Sequence, residues 1–457
     1  MGIEPMWKDL QSFASATRPR RQASTIAASA PNPPGHARRR HACDNPGMVR
    51  SSTTRLLSVI LTSGTLFVAA CSSDSSSVSP STTAAATTEA PTTPAPTTEA
   101  PTTTISPAEL AKAYSEPGKY PVGVTTLQLA KGPMVEVWYP AVAGSTGTET
   151  YDVRNYVPDF IKALLTGDAP ATYSYAAARD AAVENGAFPV VLFSHGFTGI
   201  RVQSSFLTSH LASYGMIVVS PEHPSRDLFN VLGGTASGDR NDSVDDLLQS
   251  LDLITAAGAD PTSRFNGHVD AEHVAAVGHS AGGGTILGAA ADPRVDGYVS
   301  MASGVLLGGQ NTTTTAPVAL PNKPSFFLGG TADNVVPLAT VTKPAFDAVP
   351  APSLLWAIDG VGHNGFDDFC TFGNGQGIIG VAEASGLGPL LDAQPQLKTL
   401  GQDGCIPPAI PVDTTFPIIR HAVTAWLLNL FGVDATPVGL GPEVAGEYAT
   451  PVTIDSK

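Results

Sequence analysis

The chain has 457 residues, 42% of them hydrophobic and only 14% charged, with a formal net charge of −15. Residues 1–70 hold nine of the 25 Lys and Arg but three of the 40 Asp and Glu, so the remainder carries 16 basic against 37 acidic residues, a net of −21. A body this acidic repels phosphate backbones and excludes nucleic acid as a partner, while the apolar content is ample for a large core.

In chain order, residues 1–47 are rich in Arg and Pro and read as a non-native or disordered extension, with Met48 placed to be a start. Arg50 and Arg55 precede "LLSVILTSGTLFVAA" (56–70), which is too short for a comfortable membrane span and has a basic flank. Residues 48–70 therefore read as a signal peptide. The run ends in "VAAC", which resembles the lipobox of bacterial lipoproteins. That resemblance implies cleavage before Cys71 and lipid attachment to its thiol. It also implies an exported chain anchored to the outer face of the bacterial cell membrane, with secretion as the alternative. Residues 71–107, with the repeated "TTEAPTT", have no apolar period and cannot bury a core, so they read as an extended tether. A folded domain is expected over 108–433, followed by a Gly/Pro-rich C-terminal tail over 434–457.

From residue 120 short β-rich runs alternate with longer helical ones. "GVTTLQL" and "MVEVWYP" read as an opening hairpin, and "FPVVLFSHGF" as a strand buried on both faces. A helix over "VQSSFLTSHLASYG" leads to the strand "MIVVSPEHP". A polar, Gly-rich crossing then leads to a helix near "NDSVDDLLQSLDLITAA", with Asp242 or Ser243 as its cap. The strand "HVAAVGHS", the helix "GGTILGAAAD" and the strands "VDGYVSMAS", "PSFFLGG" and "SLLWAIDG" follow, before a closing helix "FPIIRHAVTAWLLNLFG". In that helix Ile419, Val423, Trp426, Leu427 and Leu430 share one face, and Arg420, His421 and Thr424 are placed on a solvated one. This alternation predicts an α/β domain, a mostly parallel central sheet with helices on both faces.

The pentapeptide Gly278-His279-Ser280-Ala281-Gly282 is weak by itself, since a match arises by chance roughly one time in three in a chain so rich in Gly and Ser. Its context is stronger. Ser280 sits where a strand meets a helix, beyond the carboxyl end of the sheet, where open α/β sheets collect their chemistry. A serine hydroxyl needs an imidazole to take its proton and a carboxylate to orient that imidazole. Only His363 and His421 follow Ser280 among ten histidines. His363, in a glycine-flanked loop just past a strand, is the candidate base. Asp333, just past the preceding strand, is the candidate acid. Asp359 lies too near His363 in sequence, and Asp292 and Asp296 lie at the wrong end of the sheet. The backbone N–H groups of Ala281 and Phe197 are the candidate oxyanion donors. His195 precedes the nucleophile and reads as a loop-ordering residue, and Asp367 and Asp368 as part of a solvated loop.

Cys370 and Cys405 lie in a chain expected to be exported and are predicted to pair, closing a loop worth roughly 3–4 kcal/mol. No CxxC pair or HExxH motif occurs, so no metal and no cofactor are expected.

The motifs "VEVWYPA", "PVVLFSHGFTG", "LASYGMIVVSPEH", "AAVGHSAGGG" and "LGGTADNVVP", in this order, resemble bacterial relatives of platelet-activating factor acetylhydrolase (type II) and dienelactone-hydrolase-like proteins. Secreted cutinase-like polyester hydrolases are similar in layout. The resemblance spans roughly residues 117–365 and implies an α/β-hydrolase fold. It places the nucleophile on Ser280, the acid on Asp333, the base on His363 and the oxyanion donors on Phe197 and Ala281. Dienelactone hydrolases use a cysteine nucleophile, which is absent here. The expected function is a serine carboxylester hydrolase acting through an acyl-enzyme on lipid-like or short-chain acyl esters, with the membrane a partner through the anchor. A polyester or cutin hydrolase is the alternative. A catalytically silent binding lipoprotein is the alternative of another class.

Overall fold

Runs of Val, Ile, Leu and Phe with no polar alternation can be stable as strands only when both faces are covered. In a computed structural model of the chain, which describes residues 105–167, 169–305 and 320–457, six such runs form the parallel centre of one sheet. They are β6 (Phe188–Ser194), β7 (Ile217–Pro221), β8 (Val269–His279), β9 (Gly297–Met301), β10 (Ser325–Gly330) and β11 (Ser353–Ile358). The opening hairpin is present as β1 (Val122–Gln128) and β2 (Met134–Pro140), and β2 pairs antiparallel with β7. The full order is β12-β11-β10-β9-β8-β6-β7-β2-β1-β5, where β5 is Ala178–Arg179 and β12 is Val452–Ser456. Helices α1 (Ser205–Ser213), α2 (Leu228–Gly233), α3 (Arg240–Ala259), α4 (Ala281–Ala289) and α5 (Val412–Leu430) connect and close the chain. Two apolar clusters form the core. One contains Val191, Phe193, Val218 and Trp426, and the other Val190, Leu192, Val219 and Leu251, so neighbouring residues of β6 serve different clusters. The expected α/β class is the observed one.

Four expectations change. Residues 434–457 are not a tail, because β12 pairs antiparallel with β11 from Leu354↔Ser456 to Ile358↔Val452 and closes that end of the sheet. The same segment covers the polar face of α5. His421 is consequently fully buried, its Nε2 2.9 Å from the Gly439 carbonyl, and its ring packs on Trp356 and Tyr448. The cap of α3 is Asp239, whose carboxylate accepts from the Asn241 and Asp242 N–H groups. Asp242 returns a bond to the Asp239 N–H, so the predicted cap residue is the third position of a capping box. Finally, Asp367 and Asp368 are buried rather than solvated: Asp367 accepts from the Phe369 N–H, and Asp368 is described below.

Several short elements, among them a two-stranded pair, have no counterpart among the elements expected from the sequence. β3 (Thr148–Asp152) and β4 (Thr172–Ala176) form a separate antiparallel pair whose short alternating polar pattern leaves both strands half exposed. The predicted extension, signal peptide, most of the tether and Cys71 lie outside the described residues.

Candidate active site

The chain reaches Ser280 by a sharp reversal between β8 and α4. Ser280 has φ 55° and ψ −122°, a conformation that L-residues avoid and that costs energy unless the surroundings enforce it. They do so by close packing. A Cβ on Gly278 would sit 2.5 Å from the Gly282 carbonyl group, and one on Gly282 would collide with the Ser194 carbonyl. Both glycines are thus required for the helix to approach the strand.

The three candidate catalytic residues meet although they come from three loops. The Ser280 Oγ lies 2.9 Å from His363 Nε2, and His363 Nδ1 lies 2.9 Å from Asp333 Oδ2. The carboxylate therefore fixes the tautomer with the proton on Nδ1, leaving Nε2 to accept from the serine hydroxyl. Asp333 is itself held, since its Oδ1 accepts from the N–H groups of Val335 at 2.9 Å and Val336 at 2.6 Å. His363 is 2% exposed and Asp333 4%, while Ser280 at 9% retains access to solvent. The rejected acids have other work: Asp359 accepts from Thr331 Oγ1, Asp292 pairs with Arg294, and Asp296 accepts from the Val274 N–H.

The two candidate oxyanion donors flank the elbow. Ala281 begins α4 and has no preceding turn to accept its N–H, and neither it nor the Phe197 N–H donates to any described residue. The Phe197 peptide is oriented by His195, which donates from Nδ1 to the Gly196 carbonyl of the same peptide unit at 2.9 Å. His195 Nε2 in turn accepts from the His223 N–H at 3.1 Å. Burial, with the neighbouring His223 adding to it, pushes the His195 imidazole well below its ordinary pKa, so it is neutral. The expected loop-ordering role of His195 is what these bonds perform.

A second Ser–His–Asp line runs beneath this loop. Ser194 Oγ lies 2.9 Å from His223 Nε2, and His223 Nδ1 lies 3.0 Å from Asp246 Oδ2. It differs from the first in two decisive ways. Ser194 and His223 are wholly inaccessible, and the Ser194 hydroxyl already accepts from the buried Arg226 guanidinium at 2.8 Å. Burial pushes that guanidinium down to about 9, and it also binds the His195 carbonyl, so the line braces the loop that carries Phe197.

Several residues around the site escaped the sequence reading. His279, next to the nucleophile, donates from Nε2 to the His363 carbonyl at 3.0 Å, and its Nδ1 accepts from Gln203 Nε2 at 3.0 Å. Burial pushes His279 well below its ordinary pKa. Asp368 accepts from the first N–H groups of α1, Ser205 at 2.7 Å and Phe206 at 3.0 Å, and from the Tyr151 hydroxyl. Burial nevertheless pushes its carboxyl up to about 8. The predicted Cys370–Cys405 disulfide is formed, and it closes the segment that follows His363.

Comparisons with known proteins agree with this layout. The PET hydrolase-like family model matches residues 179–371, and that of platelet-activating factor acetylhydrolase, isoform II, matches residues 118–232. Cutinase 1 of Thermobifida cellulosilytica is 26% identical over 171 residues, 37% of this chain and 56% of that protein. A bis(hydroxyethyl) terephthalate hydrolase of Streptomyces coelicolor is 25% identical over 167 residues, 36% and 47% of the two chains. The chain spans about half the length of the curated relatives it matches. Among solved structures, a ferulic acid esterase from Streptomyces cinnamoneus superposes with a TM-score of 0.52 at 21% identity, covering 75% of this chain and 98% of the other. With the sheet order and the strand-end elbow described above, the chain has the α/β-hydrolase fold.

Proposed function

We propose that the protein is a serine carboxylester hydrolase acting through an acyl-enzyme. The observation that carries this reading is the continuous line from Ser280 Oγ through His363 to Asp333 at a strand-end elbow. In this mechanism His363 Nε2 takes the serine proton as Oγ attacks the ester carbonyl, and Asp333 holds the resulting imidazolium. The negative charge developing on the carbonyl oxygen is met by the N–H groups of Ala281 and Phe197. His363 then returns its proton to the departing alcohol. A water, deprotonated by the same nitrogen, cleaves the acyl-enzyme and regenerates the serine.

Two substrate classes compete. The PET hydrolase-like model spans all three triad positions, and relatives named as cutinases support a polyester or cutin substrate. The acetylhydrolase model spans residues 118–232, which include Phe197 but not Ser280, Asp333 or His363, and supports lipid-like or short-chain acyl esters. The extent of the first match favours the polyester reading. Attachment to a membrane through Cys71 is part of the proposal and rests on the "VAAC" sequence.

The test is hydrolysis of p-nitrophenyl esters of graded acyl length and of a polyester film by wild type and Ser280→Ala, with fluorophosphonate labelling of the serine. Wild-type turnover that drops at least about 10³-fold in the variant is expected. An inert, unlabelled wild type would sink the reading. Release of soluble products from the film, against short esters alone, separates the two substrate classes. Mass spectrometry of the mature N-terminus should find an acylated Cys71.

A further inference from the structure

The disulfide-closed segment after His363 delivers one carboxylate to both loops of the proton relay. Asp403 Oδ1 accepts from the backbone N–H of His363 at 2.7 Å. Its Oδ2 accepts from the backbone N–H of Asn334 at 3.0 Å and from Asn334 Nδ2 at 3.1 Å, and Asn334 is the residue directly after Asp333. The Asp403 carbonyl completes the bridge by accepting from the Asn364 N–H and from Asn364 Nδ2, each at 2.9 Å. Other ties between these loops lie nearer the strands, where the Ala332 N–H meets the Val361 carbonyl at 3.0 Å and Thr331 meets Asp359. Ala332 also adjoins Asp333, but Asp403 alone among these binds the backbone of His363 itself while holding the residue after Asp333.

Its placement is enforced. Cys405, two positions on, is bonded to Cys370, and Gly404 (φ +94°) packs so closely that a Cβ there would lie 2.9 Å from the Asn364 nitrogen. The Asp403 N–H is held by the Thr399 carbonyl at 3.1 Å.

We propose that Asp403 is a positioning residue for the reaction, a clamp that sets the spacing of Asp333 and His363 by binding both of their loops through one carboxylate. This role for Asp403 rests on the esterase function proposed above. Acid and base come from separate strands, β10 and β11, and their 2.9 Å contact depends on loops that the sheet itself does not fix. Displacements of about 1 Å in such a relay cost up to about 10²-fold in rate.

Asp403→Asn is nearly isosteric, but its amide nitrogen would face either the His363 N–H or the two Asn334 donors that the carboxylate satisfies. On p-nitrophenyl butyrate, kcat per fluorophosphonate-titrated Ser280 is expected to fall about tenfold to a hundredfold with KM unchanged. Normalising to titrated serine removes any loss due only to unfolded protein. Asn334→Ala, which deletes one bond of the bridge from the other side, should show a smaller fall of the same kind. The double variant should be no slower than Asp403→Asn, because both changes act on one bridge. Unchanged kcat per titrated serine in either single variant, or an effect on KM alone, overturns the inference and leaves the esterase reading intact. A wild type that neither hydrolyses the ester nor takes the label overturns the esterase reading and this inference with it.

Discussion

A neutral imidazole between a carboxylate and a hydroxyl is useful only if its proton sits on the carboxylate side. Asp333→Asn keeps the shape of that contact but favours the wrong tautomer of His363. Esterase turnover is expected to fall by roughly 10⁴-fold while the far-ultraviolet spectrum and unfolding midpoint stay near wild type. A loss below tenfold would remove Asp333 from the relay. A second residue-scale prediction concerns Glu222, whose carboxyl burial pushes up to about 7 although Arg201 donates to its Oε1 at 3.0 Å. Arg201 is shared with Glu136, so the pairing does not offset the loss of water. Because the folded value lies above the unfolded one, the native state binds the extra proton. Stability from this group is complete below about 4.5 and is lost as pH rises through about 7. Glu222→Gln lacks this titration. Relative to wild type, its denaturant-derived stability should improve between these limits by up to about 3 kcal/mol. A difference that is flat with pH would show that Glu222 does not titrate there. Ser280, Asp333 and His363 were legible because each follows an apolar strand and because their order in the chain is constrained. His279, Gln203 and Asp403 were not. Their partners are backbone groups or side chains up to 84 positions away, and side-chain type carries no sign of such a partner.

At the scale of elements, the parallel strands were legible because burial on both faces leaves an unbroken apolar run. The hairpin of β3 and β4 was not, since "TETYD" and "TYSYA" are short, polar and half exposed. The segment from 364 to 411 is made of short helical turns whose pairing is set by the disulfide and by Asp368 reaching back to the start of α1. Replacing Cys370 and Cys405 by Ser frees a loop of 35 residues and should lower stability by roughly 3–4 kcal/mol in the chain-entropy model. Because that loop carries Asp403, esterase activity should begin to fall at lower denaturant than the global unfolding signal. Coincident loss of both signals, as in wild type, would show that the loop does not open separately.

For the molecule as a whole, the last strand decides whether the sheet ends in a paired or an open edge. Removing residues 452–457 would expose the β11 edge from Leu354 to Ile358 and remove Val452 and Ile454 from the apolar cluster that holds Trp356. The expected result is a loss of more than about 2 kcal/mol in stability and visible self-association by light scattering. A truncated protein as stable as the parent would restore the reading of this segment as a tail. By itself the sequence determined the α/β class, the strand-end elbow at Ser280 and the placement of Asp333 and His363 just past later strands, because periodicity and turn chemistry are local. Only the tertiary structure decided that His421 is buried, that Val452–Ser456 pairs, that Ser194, His223 and Asp246 line up in the interior, and that Asp403 reaches the loops of both Asp333 and His363. Those outcomes depend on which distant surfaces meet, and exposure and partnership are properties of that meeting rather than of any one stretch of chain.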